Sequence, residues 1–193
     1  MGSVSTAKRN MDDIAQNRLC CPDLEAAVQM EELIERVKKN GDSLGGIVEV
    51  RAVGCPAGVG EPVFDKLDGA LARALMSIGA VKGVEIGAGF AAASMLGSEN
   101  NDALTPEGYR TNNAGGILAG ISNGDEVIAR VAVKPIPSIG IEQDTLNLDR
   151  EPVKIKVGGR HDISAIPRIV PVCEAMVCLT LADLLLRQKT IEN

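Results

Sequence analysis

The chain has 193 residues, a formal net charge of −6, 45% hydrophobic and 24% charged residues. That is enough apolar material for a core and sets one domain, or one and a half, as the expected size. The acidic balance, with two Phe, one Tyr and no Trp, excludes a base-stacking nucleic-acid platform and a basic membrane-surface binder, so neither nucleic acid nor membrane is an expected partner.

Residues 1–19 are polar and without clear periodicity, and the organised domain is expected over 20–193. Nothing in that first stretch has the apolar core of a secretory signal. Asp23 is placed to cap a helix through Leu24, Ala27, Val28, Ile34 and Val37. Lys38 and Lys39 fall in its last turn and Gly41 stops it. Residues 46–53 alternate, with Val48, Val50 and Ala52 on one face and Glu49, Arg51 and Val53 on the other, the pattern of a half-exposed strand. Pro56, Gly58 and Gly60 make a turn. Phe64, Leu67, Leu71, Leu75 and Ile78 recur at helical spacing and predict a helix over 63–78. A strand follows at 81–86.

Residues 87–116, rich in Gly, Asn, Ala and Ser, predict a long surface segment. Residues 126–134 alternate again, and Pro135 and Pro137 end that strand. Val153, Ile155 and Val157 alternate with Lys154 and Lys156 in another. The chain closes with a helix over 168–188, whose apolar run is broken by Pro171, Glu174 and Asp183 and is read as a core helix. Strands that follow one another without intervening helices favour antiparallel pairing, so the expected class is α+β, antiparallel sheets layered with helices.

Chemistry is confined to a few places. The five cysteines, Cys20, Cys21, Cys55, Cys173 and Cys178, include no Cys-x-x-Cys pair; with one histidine, no metal set is expected. Free thiols in a reducing cytosol are the simple reading. The sole histidine lies in Gly158-Gly159-Arg160-His161-Asp162. There Arg160 can clamp a phosphate or carboxylate and Asp162 can take a proton; the pattern alone favours the plainer reading, a polar turn with a surface ion pair. The run from Thr111 to Gly124 can turn backbone N–H groups toward an anion, or be a long hairpin connection. Lys134-Pro135-Ile136-Pro137-Ser138 forms a rigid polar corner that can present Ser138 to a ligand, or only terminate an edge strand. Cys55 has no local base to make it a nucleophile.

These segments together resemble the C-terminal half of chorismate synthase. The resemblance rests on Pro56 through Asp68, Met76-Ser77-Ile78, Ala80 through Gly87 and Gly97 through Asn100. It continues through Thr111 to Ile117, Gly120 through Gly124, Lys134-Pro135 with Ser138-Ile139, Gly159 through Asp162, and Pro171-Val172 with Glu174-Ala175-Met176 and Leu181-Ala182-Asp183. It runs from about residue 20 to 188. It implies a β-α-β sandwich subunit of a cytoplasmic homotetramer. It also implies the last step of the shikimate pathway, a 1,4-anti elimination of phosphate from 5-enolpyruvylshikimate 3-phosphate, dependent on reduced FMN. Carried over residue by residue, Asp162 is the acid near the flavin that assists proton transfer. Arg160 contacts flavin and substrate. Lys134, Pro135, Ile136, Pro137 and Ser138 form a flavin-binding stretch. Gly79, Ala80 and Ala119 are backbone flavin contacts, Ala119 standing where the family usually has Gly. His161 belongs to the motif but is assigned no chemistry. The family's N-terminal half, with two active-site histidines in Gly-Glu-Ser-His-Gly and Arg-Pro-Gly-His-Ala-Asp type motifs, has no match here. The resemblance therefore implies an incomplete site, with a non-catalytic flavin-binding or oligomerisation fragment as the alternative.

Overall fold

The computed structural model describes residues 1–191; 192 and 193, the end of the expected 20–193 domain, lie outside the described residues. A 3-10 helix, Met11–Gln16, comes first, then α1 (Leu24–Lys39), β1 (Gly46–Ala52), α2 (Leu67–Met76) and β2 (Val81–Ile86). A second 3-10 helix, Gly89–Ser94, precedes α3 (Gly97–Asn100), β3 (Leu104–Thr105), β4 (Gly108–Tyr109), β5 (Ile117–Leu118) and β6 (Ile121–Ser122). The chain ends with β7 (Val127–Val133), β8 (Gln143–Leu146), β9 (Pro152–Ile155) and α4 (Ile166–Ile191). It divides into two units: Met1–Ile47 with Val133–Val170, and Val48–Ala132 with the residues from Pro171 onward.

In the first unit, Asp23 caps α1 as expected, its side chain accepting from Glu25 and Ala26 N–H. It does more than the sequence foretold, because Ala7 and Lys8 N–H also donate to it, each at 3.0 Å. One buried carboxylate thus ties the N-terminal stretch to the helix. The N–H groups of Lys8 and Ala26, then Ala7 and Glu25, hold its carboxyl below the usual aspartate range against the effect of burial. Arg36, Lys38 and Lys39 complement the carbonyl end, and Gly41 turns away with φ +73°. The buried stripe is Ala26, Ala27, Met30 and Leu33, whereas Leu24 and Val28 stay exposed; the stripe is turned from the expected one. The 3-10 helix at 11–16 was not legible in the periodicity. It is held locally, with Asn10 accepting from Asp12 N–H.

The second unit contains a three-stranded sheet in the order β1-β7-β2. A Cβ on Gly83 would lie 3.5 Å from Ala132, Arg130 pairs with Glu85, and Gly87 N–H donates to Ile128 O. Partner numbers fall along β7 as they rise along β2, so this pair is antiparallel. Every second residue of β7 is buried: Val127, Ala129, Val131 and Val133. The alternate face carries ions. Arg51 on β1 pairs with Glu49 at 2.9 Å and with Glu126 at 3.0 Å, and Arg130 pairs with Glu85 at 3.3 Å. On α2, Leu67, Leu71 and Leu75 are fully buried, a clean i, i+4, i+8 stripe. The expected start at 63 is too early. Val63 takes φ +71°, Phe64 is 94% exposed, and the helix begins only at Leu67. Pro62 and the positive φ at Val63 keep the preceding residues out of helical geometry.

The long Gly- and Asn-rich stretch is not structureless. It holds the second 3-10 helix, α3 and a small antiparallel hairpin, β3–β4, and a second hairpin, β5–β6, follows it directly. The last helix, α4, is long and apolar enough to cross a membrane by length and composition. Its segment in this unit buries a narrow stripe, Cys173, Val177 and Leu184, and leaves Val172, Leu179 and Leu186 exposed. It is a one-sided helix rather than one buried all round. In the first unit, β8 and β9 pair antiparallel, Gln143 opposite Ile155 and Leu146 opposite Pro152. The Gln-Asp-Thr-Leu sequence of β8 has no apolar alternation, which is why it was not foreseen. The α+β class with antiparallel pairing is borne out.

The two residues joining β5 to β6 are Ala119 and Gly120, with φ +52° and +84°. Positive φ at both positions is the signature of a two-residue type I′ hairpin. Glycine is free there; alanine is not, at a cost of roughly 1–2 kcal/mol. Replacing Ala119 with Gly removes that cost and adds about 0.4–1 kcal/mol of unfolded-chain entropy. Ala119→Gly is therefore expected to stabilise the chain by about 0.5–1 kcal/mol, read as a higher urea midpoint with an unchanged slope. A lower midpoint would refute this account of the turn.

Candidate functional site

Three stretches of the first unit converge on one corner. The first is Lys134 to Ser138, directly after β7. Its two prolines fix φ and remove two N–H donors, so it cannot continue the strand as a ladder partner. It is held from the side instead: Ser43 Oγ donates to Ile136 O at 2.7 Å, and Gly140 N–H donates to Gly41 O at 2.9 Å. The second stretch is therefore 41–45, the connection between α1 and β1. Its Leu44 N–H donates to Ile163 O at 2.7 Å, and Leu44 forms an isolated parallel bridge with Ser164. That contact brings in the third stretch, 157–164, which contains the only histidine.

His161 joins the first stretch to the third. Its Nδ1 lies 3.0 Å from Ser138 Oγ, and its Nε2 lies 3.0 Å from Val157 O. Asp162, the expected acid, is gripped at two points by Arg168, at 2.7 Å and 3.3 Å. Arg168 stands near the start of α4 and was not singled out from sequence. Its spacing, six residues after Asp162 and directly after Pro167, is the only local hint. Lys134 and Arg160 are exposed, and neither has a hydrogen-bond or ion-pair partner among the described residues. They are two available cations, Lys134 four residues before Ser138 and Arg160 directly before His161 in sequence.

The remaining expected contacts lie in the second unit. Gly79 and Ala80 form the turn between α2 and β2, and Ala80 takes φ +73°. Ala119 stands at the other end of α2, since the adjoining Gly120 O accepts from Leu67 N–H at 2.8 Å. A ten-residue helix separates the two places by about 15 Å. These contacts are thus not one patch but two, at opposite ends of α2.

The run from Thr111 to Gly116 does gather N–H groups around an anion, and the anion is the protein's own. Asp102 accepts from Thr111 Oγ1 at 2.6 Å and from the N–H groups of Asn113 and Ala114, each at 2.8 Å. Asn112 Oδ1 accepts from Gly116 N–H at 2.7 Å, while its Nδ2 donates to Glu126 O at 2.8 Å. Gly115 N–H is taken by Asn112 O. Among the described residues every backbone N–H from 113 to 116 has a partner within the protein, and the Asn113 side-chain amide reaches Glu99 O and Asn100 O. Of the two sequence readings, the loop connection is the one built. Gly87 and Gly115, both at positive φ, press backbone to backbone: a Cβ on Gly115 would fall 2.3 Å from Gly87 N. Cys55 is buried, its thiol directed at Pro56 O.

Comparison with known proteins follows the same outline. The family model described as chorismate synthase matches residues 1–186. A chorismate synthase of Syntrophobacter fumaroxidans is 66% identical over 184 residues, covering 95% of this chain and 52% of the relative. One from Desulfosudis oleivorans is 62% identical over 191 residues, covering 99% and 54%. A solved structure described as a crystal structure of chorismate synthase superposes with TM-score 0.75 at 36% identity, covering 93% of this chain and 48% of that one. The chain spans about half the length of the curated relatives it matches.

Burial pushes the Asp102 carboxyl up, but the Thr111 hydroxyl and the Ala114 and Asn113 N–H groups outweigh it and leave the group below the usual aspartate range. A carboxyl depressed on folding contributes stability above its unfolded pKa and loses it as pH falls through the folded one. Asp102→Asn replaces a charged acceptor with an amide that can accept on one atom only. It is expected to cost about 2 kcal/mol at neutral pH. Wild-type stability should fall toward that of the variant as pH drops below about 4, followed by urea unfolding at a series of pH values. A gap independent of pH would show that the ionised carboxylate is not what holds the loop.

Proposed function

The chain belongs to the chorismate synthase family, and from that premise we propose that it supplies the flavin-facing half of an enzyme that eliminates phosphate from 5-enolpyruvylshikimate 3-phosphate to give chorismate. The single observation that carries this reading is the corner where 134–138 and 160–162 meet through Ser138 and His161. Those are the two stretches that the family resemblance assigns to flavin and substrate.

The residues fit a reduced FMN. Lys134 and Arg160 are exposed cations with no partner among the described residues, as an incoming phosphate requires. The Pro135–Pro137 stretch offers a fixed aliphatic surface, suited to a flat ring in a chain so poor in aromatics. When bound, reduced FMN supplies transient electron density to a reaction with no net redox change.

The chain's own residues have separate tasks. Arg160, which the resemblance assigns to both flavin and substrate, supplies part of the positive charge that favours the charge developing as the C–O bond breaks, and Lys134 serves the flavin. Asp162, steadied by Arg168, offers a carboxylate oxygen as proton acceptor. The Ser43 and Gly41 contacts to 136–140 hold the flavin stretch before any ligand arrives. The proline corner excludes backbone donors that would compete with the side chains.

Assembly as a homotetramer and a cytoplasmic setting belong to the same proposal. Phe64, Phe90, Leu104 and Leu148 are large, apolar and exposed, which supports association. All five cysteines are free, which suits a reducing compartment. A second reading, a fragment that binds flavin or self-associates without turnover, is favoured by the half-length match.

The test is anaerobic chorismate formation by the purified chain with excess reduced FMN and substrate, with flavin binding read in the same samples. The expected result is flavin binding with turnover only when the family's other half is added in trans. Arg160→Ala or Lys134→Ala should each weaken reduced FMN binding about tenfold or more, as loss of a charge-assisted contact does. Binding without turnover even in trans would favour the second reading, and no binding would end the first reading and leave only self-association of the second. Light scattering should give a mass above that of one chain; a monodisperse monomer would count against association.

A further inference from the structure

We propose that His161 is a positioning residue whose Nδ1 accepts a hydrogen bond from the Ser138 hydroxyl, so that Ser138 meets its ligand as a hydrogen-bond acceptor only. The ligand atom it takes is then an N–H or O–H group, not a phosphate oxygen. The ligand part rests on the flavin reading above; the proton placement does not.

The argument is one of donors and acceptors. Val157 O can only accept, so the ring nitrogen 3.0 Å from it, Nε2, carries a hydrogen. In a neutral imidazole the other nitrogen is then bare. Nδ1 is that nitrogen, and Ser138 Oγ lies 3.0 Å from it. Two acceptors cannot face each other at that distance, so the serine O–H donates to Nδ1. A serine hydroxyl has one hydrogen and two lone pairs. The hydrogen is spent on the ring, and only lone pairs remain.

The neighbouring side chains are consistent with this arrangement. Asp162, beside His161, is engaged by Arg168 and does not take the ring N–H. Lys134, four residues before Ser138, and Arg160, directly before His161, remain as the partners for phosphate. The corner therefore separates its work by chemistry: cations for the anionic end of a flavin, and an acceptor for an N–H of its ring or a hydroxyl of its sugar chain. The sequence carried no sign of this. A serine and a histidine 23 residues apart meet only because the 41–45 connection holds both of their stretches.

The chain's single histidine makes the test direct. A long-range proton–nitrogen correlation spectrum of the chain labelled at histidine shows one ring. The expected spectrum has Nε2 protonated and Nδ1 unprotonated. Ser138→Ala should shift the Nδ1 resonance and leave Nε2 in place, and Ser138→Thr should restore it. An Nδ1–H ring, or an Nδ1 signal indifferent to Ser138→Ala, would overturn the proton placement. A parallel arm titrates reduced FMN and reduced riboflavin, which lacks the phosphate. His161→Ala should weaken both by the same factor, about tenfold for one lost hydrogen bond. His161→Asn, whose Oδ1 can stand in for Nδ1, should recover most of it. An effect on FMN alone would place Ser138 at the phosphate and overturn the acceptor assignment. Binding of neither flavin by the wild-type chain would instead refute the flavin reading and the ligand assignment with it, while the spectrum still decides where the proton lies.

Discussion

The alternation of β7 is the constraint on which the other elements depend. Val127, Ala129, Val131 and Val133 are buried, and a slip of one residue would turn them all to the other face. That fixes which residues lie beside Arg130 and Glu85 on the polar side. It also fixes what is attached to the ends. At the start, Glu126 O accepts from Asn112 Nδ2 and Ile128 N–H donates to Gly115 O, so the Gly/Asn loop hangs from the first pairs of the strand. At the finish, Val133 passes directly into Lys134 and the two prolines. Burial along one strand thus sets the register of a loop at one end and of the candidate flavin stretch at the other.

Elements with a local cause were legible in sequence. Asp23, the cationic last turn and Gly41 delimit α1 by their own chemistry, and β1 and β7 carry period-two patterns. What was not legible depends on distant partners. Gln143–Leu146 is a strand only because Pro152–Ile155 pairs with it. The stretch 87–116 looked unstructured because its organiser, Asp102, acts through hydrogen bonds to residues 9 to 12 positions away rather than through burial. Phe64 misled in the other direction: it has helical spacing from Leu67 but stands after Pro62 and Val63, outside the helix. Motif resemblance named Lys134, Ser138, Arg160 and Asp162. It could not show that Ser43, Leu44 and Arg168 hold them, since those contacts exist only after folding.

Asp102 and Asp162 show how environment divides one side-chain type into two uses. Asp102 faces a hydroxyl and two backbone N–H groups, all short and fixed, and its job is finished when the loop closes. Asp162 faces a single guanidinium that is itself largely exposed, so it keeps lone pairs and solvent access for an incoming group. Two acids of the same intrinsic strength therefore serve architecture in one unit and are available for chemistry in the other.

The loop that carries its own anion has a further consequence, one of entropy. A phosphate-cradling loop commonly stays loose until its ligand arrives, and ordering it is then charged against binding. Here Asp102 fills the cradle during folding, so the freedom of 111–116 is surrendered once, along with that of the chain as a whole. Whatever later binds nearby meets a wall already set. It gains nothing by displacing the carboxylate and loses nothing in stiffening the backbone, and any discrimination the loop exerts is by shape.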